Sequence, residues 1–286
     1  MHLPHLLRTA LLLTLLSGLA AGCSRKQPAD RPLVTVTIEP LRYVTEQLAG
    51  DIYDVTTLTP AGASPETYQP TPGQMVALSR SRAFIRMGTL GFERTQLEKF
   101  TSNIPHLICI NASKGIPPLA TDSAAGSDSA DPHAWTSPRD MKHIARNICN
   151  ALCALDTAHV RTFTSRLKAF SHRMDSLEAA LRRRLRQAPS RTFLIYHPAL
   201  GYFARTFGLR QLSVEQDGKE ASPRRVAELV GQCRRDSVRV VFIQKEYSGE
   251  TARRIAEAAG ARVAVINPLS YQWEEELEHI VEELCR

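Results

Sequence analysis

Two histidines stand where imidazole chemistry is expected. His133 lies in Asp131-Pro132-His133-Ala134-Trp135, and His197 lies in Tyr196-His197-Pro198-Ala199. Imidazole changes charge near neutral pH and is the commonest protein ligand for a divalent metal. Proline precedes one of these histidines and follows the other, which restricts the backbone and helps to aim the ring. His197 directly follows the apolar run Thr192–Tyr196, at the carboxyl end of a predicted parallel strand, where open α/β sheets bind ligands. Two such histidines at loop edges in opposite halves of the chain point to a cleft. A third segment, Pro60 to Pro72, is dense in turn formers and holds a single acid, Glu66, which by itself reads as a surface carboxylate. His106, His143, His159, His172 and His279 have no supporting motif and read as structural or exposed. The sequence holds no H-E-x-x-H helix, nucleophile elbow or C-x-x-C pair, so hydrolytic and thiolate-zinc chemistry lack their usual signatures.

The elements that must position these residues alternate. Strands are predicted at Leu33–Ile38, Tyr53–Leu58, Ala83–Met87, Leu107–Ile110, Thr192–Tyr196, Gln211–Val214, Val238–Gln244 and Arg262–Ile266. Helical patterns fall between them at Pro40–Ala49, Gln74–Ser81, Pro138–Leu155, Pro223–Arg235, Glu250–Ala259 and Gln272–Leu284. That alternation predicts an α/β fold of parallel sheets covered by helices, four strands in each half. Between the halves, Val160, Phe163, Leu167, Phe170, Met174, Leu177, Leu181 and Leu185 form one apolar stripe at helical spacing. Asp156-Thr157 gives a capping start and Pro189 follows the end. About thirty residues make a rod roughly 45 Å long, expected to pack on both lobes; a coiled-coil dimer is the competing reading.

Composition agrees with a globular protein that has room for two modest domains: 286 residues, 43% hydrophobic and 23% charged. The formal charge of +7 is mild and spread along the chain, so nucleic-acid binding is not indicated. Residues 1–22 have a positive start at Arg8, a short apolar run at Leu11–Leu16 and small residues before Cys23, which reads as a cleaved export signal. Leu19-Ala20-Ala21-Gly22-Cys23 resembles the lipobox of bacterial lipoproteins, in which the cysteine becomes the lipidated first residue. The expected organisation is a signal at 1–22, a flexible tether at 23–32, an N-terminal lobe at 33–155, a connecting helix at 156–187 and a C-terminal lobe at 188–286. The polar segment Thr121–Ser129 is expected to be an exposed loop. Of the five later cysteines, Cys149 and Cys153 are expected to be small core residues.

Several motifs occur in the order of one known family. They are Gly62-Ala63-Ser64-Pro65 with Tyr68 and Pro70-Thr71-Pro72, then Asp131 to Trp135, then Tyr196-His197-Pro198-Ala199 with Tyr202-Phe203. Gly218-Lys219-Glu220 with Ser222-Pro223, and Asn267-Pro268-Leu269, follow in the same order. From Leu33 to its end the chain resembles the zinc- and manganese-binding lipoproteins of bacterial ABC metal importers. The resemblance implies two α/β lobes joined by one long rigid helix, with a metal ion held between them. It also implies the ligands: His133, His197, Glu66 where the family usually has His, and Asn267, a weak ligand, where it often has Asp. Glu246 is a reserve ligand from the C-terminal lobe, and Tyr68, Trp135, Tyr196 and Tyr202 are expected to wall the site. Two imidazoles and a carboxylate suit zinc; extra oxygen donors move the preference toward manganese or iron(II). The implied role is capture of the ion outside the cytoplasmic membrane and delivery to an ABC permease with its ATPase. On this reading the protein is a lipid-anchored monomer, periplasmic or at the cell surface, and not an enzyme. A zinc-dependent hydrolase and an adhesin-type interaction lipoprotein are the alternatives.

Overall fold

The computed structural model describes residues 31–119, 130–216 and 218–286. The expected signal at 1–22, Cys23, most of the tether and the loop at 121–129 lie outside the described residues. The compact unit runs from Pro32 to Arg286.

Two parallel sheets share one plan. The first holds β1 (Leu33–Val36), β2 (Asp54–Thr57), β3 (Ala83–Arg86) and β4 (Ile108–Asn111), in the order β2-β1-β3-β4. The second holds β5 (Thr192–Ile195), β6 (Arg210–Ser213), β7 (Val240–Gln244) and β8 (Arg262–Ile266), in the order β6-β5-β7-β8. The strand order reverses between β1 and β3 and again between β5 and β7. Loops leaving the carboxyl ends of such neighbours diverge and open a crevice for a ligand. The inner strands are buried on both faces, as the all-buried Val240–Gln244 shows, and so read as continuous apolar runs.

The covering helices start and stop where local chemistry dictates. α1 (Glu39–Ala49) has Pro40 in its first turn and ends at Gly50, whose φ is +59°. A side chain at Gly50 would also strike the guanidinium of Arg166, which donates to the carbonyls of Leu48 and Ala49 at 3.2 and 2.7 Å and so satisfies the helix end. α2 (Pro72–Ser79) begins in a capping box between Thr71 and Gln74. Two five-residue helices follow, α3 (Gly91–Thr95) and α4 (Leu97–Thr101). α5 (Pro138–Leu155) is capped by Ser137 and matches its expected span.

α6 (Val160–Leu185) is the connecting helix, preceded by a 3-10 turn at Thr157–His159 that Asp156 caps. Its 26 residues span about 39 Å. Phe163, Phe170, Met174, Leu177, Leu181 and Leu185 are buried, while Val160 at the free end stays exposed. α1, α5 and the last helix cover the stripe within the chain, so it needs no second copy to bury it. The C-terminal lobe adds α7 (Gly201–Phe207), α8 (Pro223–Arg235), α9 (Glu250–Ala259) and α10 (Trp273–Cys285). One continuous apolar core links Val34, Val36 and Ile85 of the first sheet, the α6 stripe, and Phe193, Phe242 and Ile266 of the second. The five cysteines among the described residues carry free thiols, and Cys149 is buried as expected.

Candidate metal centre

His197 follows β5 at the reversal point beside β7, and its backbone is held from both sides. The fully buried Gln244 accepts from the His197 N–H at 3.3 Å and donates to its carbonyl at 2.6 Å. On the ring, Nδ1 faces both oxygens of Glu215, just after β6, at 3.1 and 3.2 Å. His133 is held in a parallel way. Asp131 Oδ1 accepts from its backbone N–H at 2.8 Å and meets its Nδ1 at 2.8 Å. A carboxylate on Nδ1 fixes that nitrogen as the protonated one and directs the Nε2 lone pair outward.

The two Nε2 atoms face each other at 3.3 Å. With both Nδ1 atoms protonated, that contact sets two lone pairs together and needs a cation between them, a proton or a metal. Zinc–nitrogen bonds of 2.0–2.1 Å at a tetrahedral angle would place two ligand atoms about 3.3 Å apart. The imidazole pair therefore has the spacing of two ligands on one tetrahedral ion.

Carboxylates line the same cleft. Glu66 sits in the turn-rich loop after β2, and its Oε2 accepts from the Gly91 N–H at 3.1 Å, at the start of α3. A Cβ at Gly91 would come within 2.9 Å of both the Glu66 carbonyl and Oε2, so only glycine permits this approach. Glu66 Oε1 is buried and has no partner. Burial holds the Glu246 carboxyl above the usual carboxylate range, against the opposing pull of His197 and His133. The cleft leaves free space of ≈ 10 Å³, about one small sphere. As the side chains stand, no three or more His, Cys, Asp or Glu among the described residues gather closely enough to hold a metal. The imidazole pair is in place, and a carboxylate must turn toward it. An orphaned carboxylate oxygen and two opposed Nε2 atoms nonetheless form a donor set suited to a divalent cation.

Asn267 does not line this cleft; Pro268 and Leu269 do. Its N–H donates to Glu276 at 2.7 Å and its carbonyl accepts from Ser270 at 2.8 Å. Of the four aromatic residues expected around the site, Trp135 lines the cleft, whereas Tyr202 binds the Leu119 N–H, Tyr196 binds Glu220 and Tyr68 binds Gln74. Tyr247, which sequence reasoning missed, lines it instead and stacks on the His197 ring at 5.3 Å. Asp131, Glu215 and Gln244 were also missed as orienting groups. His106, His143 and His279 are occupied with backbone carbonyls, and His159 with Asp156.

The segment bearing His133 precedes α5 in sequence, yet much of its anchorage comes from the C-terminal lobe. Trp135 donates its indole N–H to the Pro268 carbonyl at 2.9 Å, and Trp273 donates to the Trp135 carbonyl at 2.8 Å. Ser137 meets Thr206 at 2.9 Å, and Arg205 pairs with both oxygens of Asp140.

Burial pulls the His133 pKa down, but Asp131, Glu66 and Glu246 outweigh it and hold the imidazole above its ordinary 6.5. In the metal-free protein this raised pKa adds stability that is complete below 6.5 and is lost as pH rises through the higher folded value. A metal competes for the same lone pair, so zinc affinity is expected to fall on acidification, beginning above pH 6.5. Chelator competition between pH 8 and 5.5 checks this, and an affinity flat across that range contradicts it.

Two lobes of identical topology, with one ion-sized cleft between their strand ends, define a two-lobed binding protein for a small cation. The sequence model of the family described as "Zinc-uptake complex component A periplasmic" (ZnuA) matches residues 34–284, and the chain belongs to that family. It is 29% identical over 252 residues to "Iron-binding protein YfeA" of Yersinia pestis, covering 85% of this chain and 79% of that one. It is 26% identical to "Zinc-binding lipoprotein AdcA" of Streptococcus pneumoniae (strain ATCC BAA-255 / R6), covering 93% of this chain and 56% of that protein. A crystal structure of ZnuA superposes with a TM-score of 0.84 at 32% identity, covering 90% of this chain and 98% of that one.

Proposed function

We propose that this protein captures a divalent metal ion, zinc first, in the cleft between its lobes and hands it to an ABC permease. The carrying observation is the pair of carboxylate-backed imidazoles with Nε2 atoms 3.3 Å apart. Family membership supports the transport role. Its work is binding and release, with no bond made or broken in a substrate. The ligands on this reading are His133, His197 and Glu66, and the cleft favours Glu246 over Asn267 as the fourth. Export through residues 1–22 and lipid attachment at Cys23 complete the proposal, supported by the lipobox-like sequence and by a relative that is named a lipoprotein. Manganese or iron(II) is the second reading. It is favoured by the two carboxylates in the wall and by a relative named for iron.

Metal analysis of protein purified without chelator, with thermal melts in zinc, manganese and iron(II), tests the proposal. Bound metal and a higher melting temperature are expected. Equal melting with and without every metal overturns it. Glu66→Ala should weaken zinc binding by at least the ~10–100-fold that loss of an outer-shell partner costs. Glu66→His should retain binding and shift the preference from manganese toward zinc. Competition titrations with both metals read these outcomes.

A further inference from the structure

We propose that Glu93, a buried acid outside the ligand set, is a positioning residue for the metal centre: it fixes the turn whose Gly91 N–H holds one oxygen of Glu66, and so aims the other oxygen at the ion. The inference rests on the metal-binding reading and concerns how its carboxylate ligand is placed. Glu93 is the third residue of α3 and is 3% exposed. Asp140 and Glu283, buried acids elsewhere in the fold, are paired with Arg205 and Arg262. Glu93 is met by neutral donors instead. Its Oε1 accepts from the Thr37 hydroxyl at 2.6 Å and from the Met87 N–H at 2.9 Å, and its Oε2 accepts from the Gly88 N–H. Burying a carboxylate without an ion partner is costly, and here the cost is offset by donors gathered from two strand ends.

Those donors surround the point where the first sheet reverses its strand order. Thr37 continues β1; its N–H donates to the Ile85 carbonyl of β3 at 3.1 Å, and its carbonyl accepts from Thr59, just beyond β2, at 3.0 Å. Met87 and Gly88 lead out of β3. The Ser113 hydroxyl holds the Met87 carbonyl at 2.5 Å, but among the described residues the two N–H groups find their acceptor in Glu93. By reaching back from α3 the side chain closes residues 87–93 into one loop, and Gly91 lies inside it. Gly91 then donates to Glu66 Oε2 at 3.1 Å. The turn bonds from Ala63 to Pro60 and from Thr67 to Ser64 lie within the Glu66 loop and shape it, whereas the Gly91 contact ties the carboxylate to the lobe behind. Oε1, buried and without a partner, is the atom left for the ion. A ligating carboxylate whose second oxygen is hydrogen-bonded is held in the orientation that ligation needs. The second sheet does the same work with Gln244, which grips the His197 backbone from the end of β7.

The test is zinc affinity by chelator competition in a cycle of Glu93→Gln and Glu66→Ala on the full chain, with the metal-free melting temperature of each variant read alongside. Glutamine matches the shape of Glu93, but in either orientation its NH2 faces a backbone N–H, so the turn cannot keep all of its bonds. Glu93→Gln is expected to weaken zinc binding by about 10–100-fold, the cost of an outer-shell partner, and by less than about twofold once Glu66 is already alanine, because both changes act through one carboxylate. Thr37→Val removes one donor and keeps the shape and the charge. It should give a smaller loss with the same dependence on Glu66, and it decides the matter if Glu93→Gln does not fold. Unchanged affinity in the folded variants, or an equal loss with and without Glu66, overturns the assignment. The second result is what general loosening of the lobe would give, or a route through the Thr89 hydroxyl, which donates to the Pro132 carbonyl beside His133 at 3.4 Å. An unmutated chain that holds no zinc overturns the metal-binding reading itself, a separate result visible before any variant is made.

Discussion

His133→Ala and His197→Ala are each expected to abolish the zinc-dependent rise in melting temperature. With zinc at 100 times the dissociation constant, mass action adds about 2.7 kcal/mol, which for a protein of this size is a rise of about 5–10 °C. Neither imidazole has a substitute. Each Nε2 is aimed by its own carboxylate, and His106, His143, His159 and His279 are engaged elsewhere. The metal-free protein should tolerate either change better than a usual core truncation. Removing one ring relieves the apposition of two Nε2 atoms at 3.3 Å, and Asp131 keeps the backbone N–H of position 133. Melting curves with and without zinc separate the two effects, because the difference between them reads binding alone. A variant that kept most of the zinc shift would place the ion elsewhere.

Gly201→Ala, a change with no charge and no ligand in it, should weaken zinc binding by about 10–100-fold, the usual cost of disturbing an outer-shell partner. Gly201 opens α7, and a Cβ there would sit 2.3 Å from Asp131 Oδ2 and 2.9 Å from Leu119 Cδ2. Alanine is otherwise the better helix former, so backbone propensity favours the variant and only the collision opposes it. Asp131 must move, and with it the Nδ1 contact that aims His133. Titration with a competing chelator measures the loss. If Asp131→Asn weakens binding as much as Gly201→Ala, the effect runs through the carboxylate; if Gly201→Ala leaves affinity intact, Asp131 does not control the ring.

Much of this architecture was legible in the sequence. Long periodic segments gave clear signals, and α5, α8 and α9 fall on their expected residues. Strand ends were read long where apolar runs outlast the ladder. Val238 is buried but precedes β7, just after Ser237 at φ +52°. The five-residue helices α3 and α4 and the seven-residue α7 are too short to show a period. In the site, the two histidines were visible because proline and a strand end flank them. The roles of Glu215, Gln244 and Tyr247 depend on which strands lie side by side, which no local pattern carries. Asn267 stands apart for a related reason: the turn after β8 engages its backbone, and the two residues that follow it line the cleft.

The crossed indoles have a mechanical implication. Trp135 and Trp273 are the only tryptophans in the chain, and each donates its N–H to a carbonyl on the opposite side of the lobe boundary. They fasten the His133 segment to the half of the molecule that carries His197. If the sheets shift relative to one another, both rings travel as a single jaw and the Glu66 arm is the part left behind. Cargo would then escape by losing Glu66 first, while the paired nitrogens keep their mutual spacing, ready for the next ion.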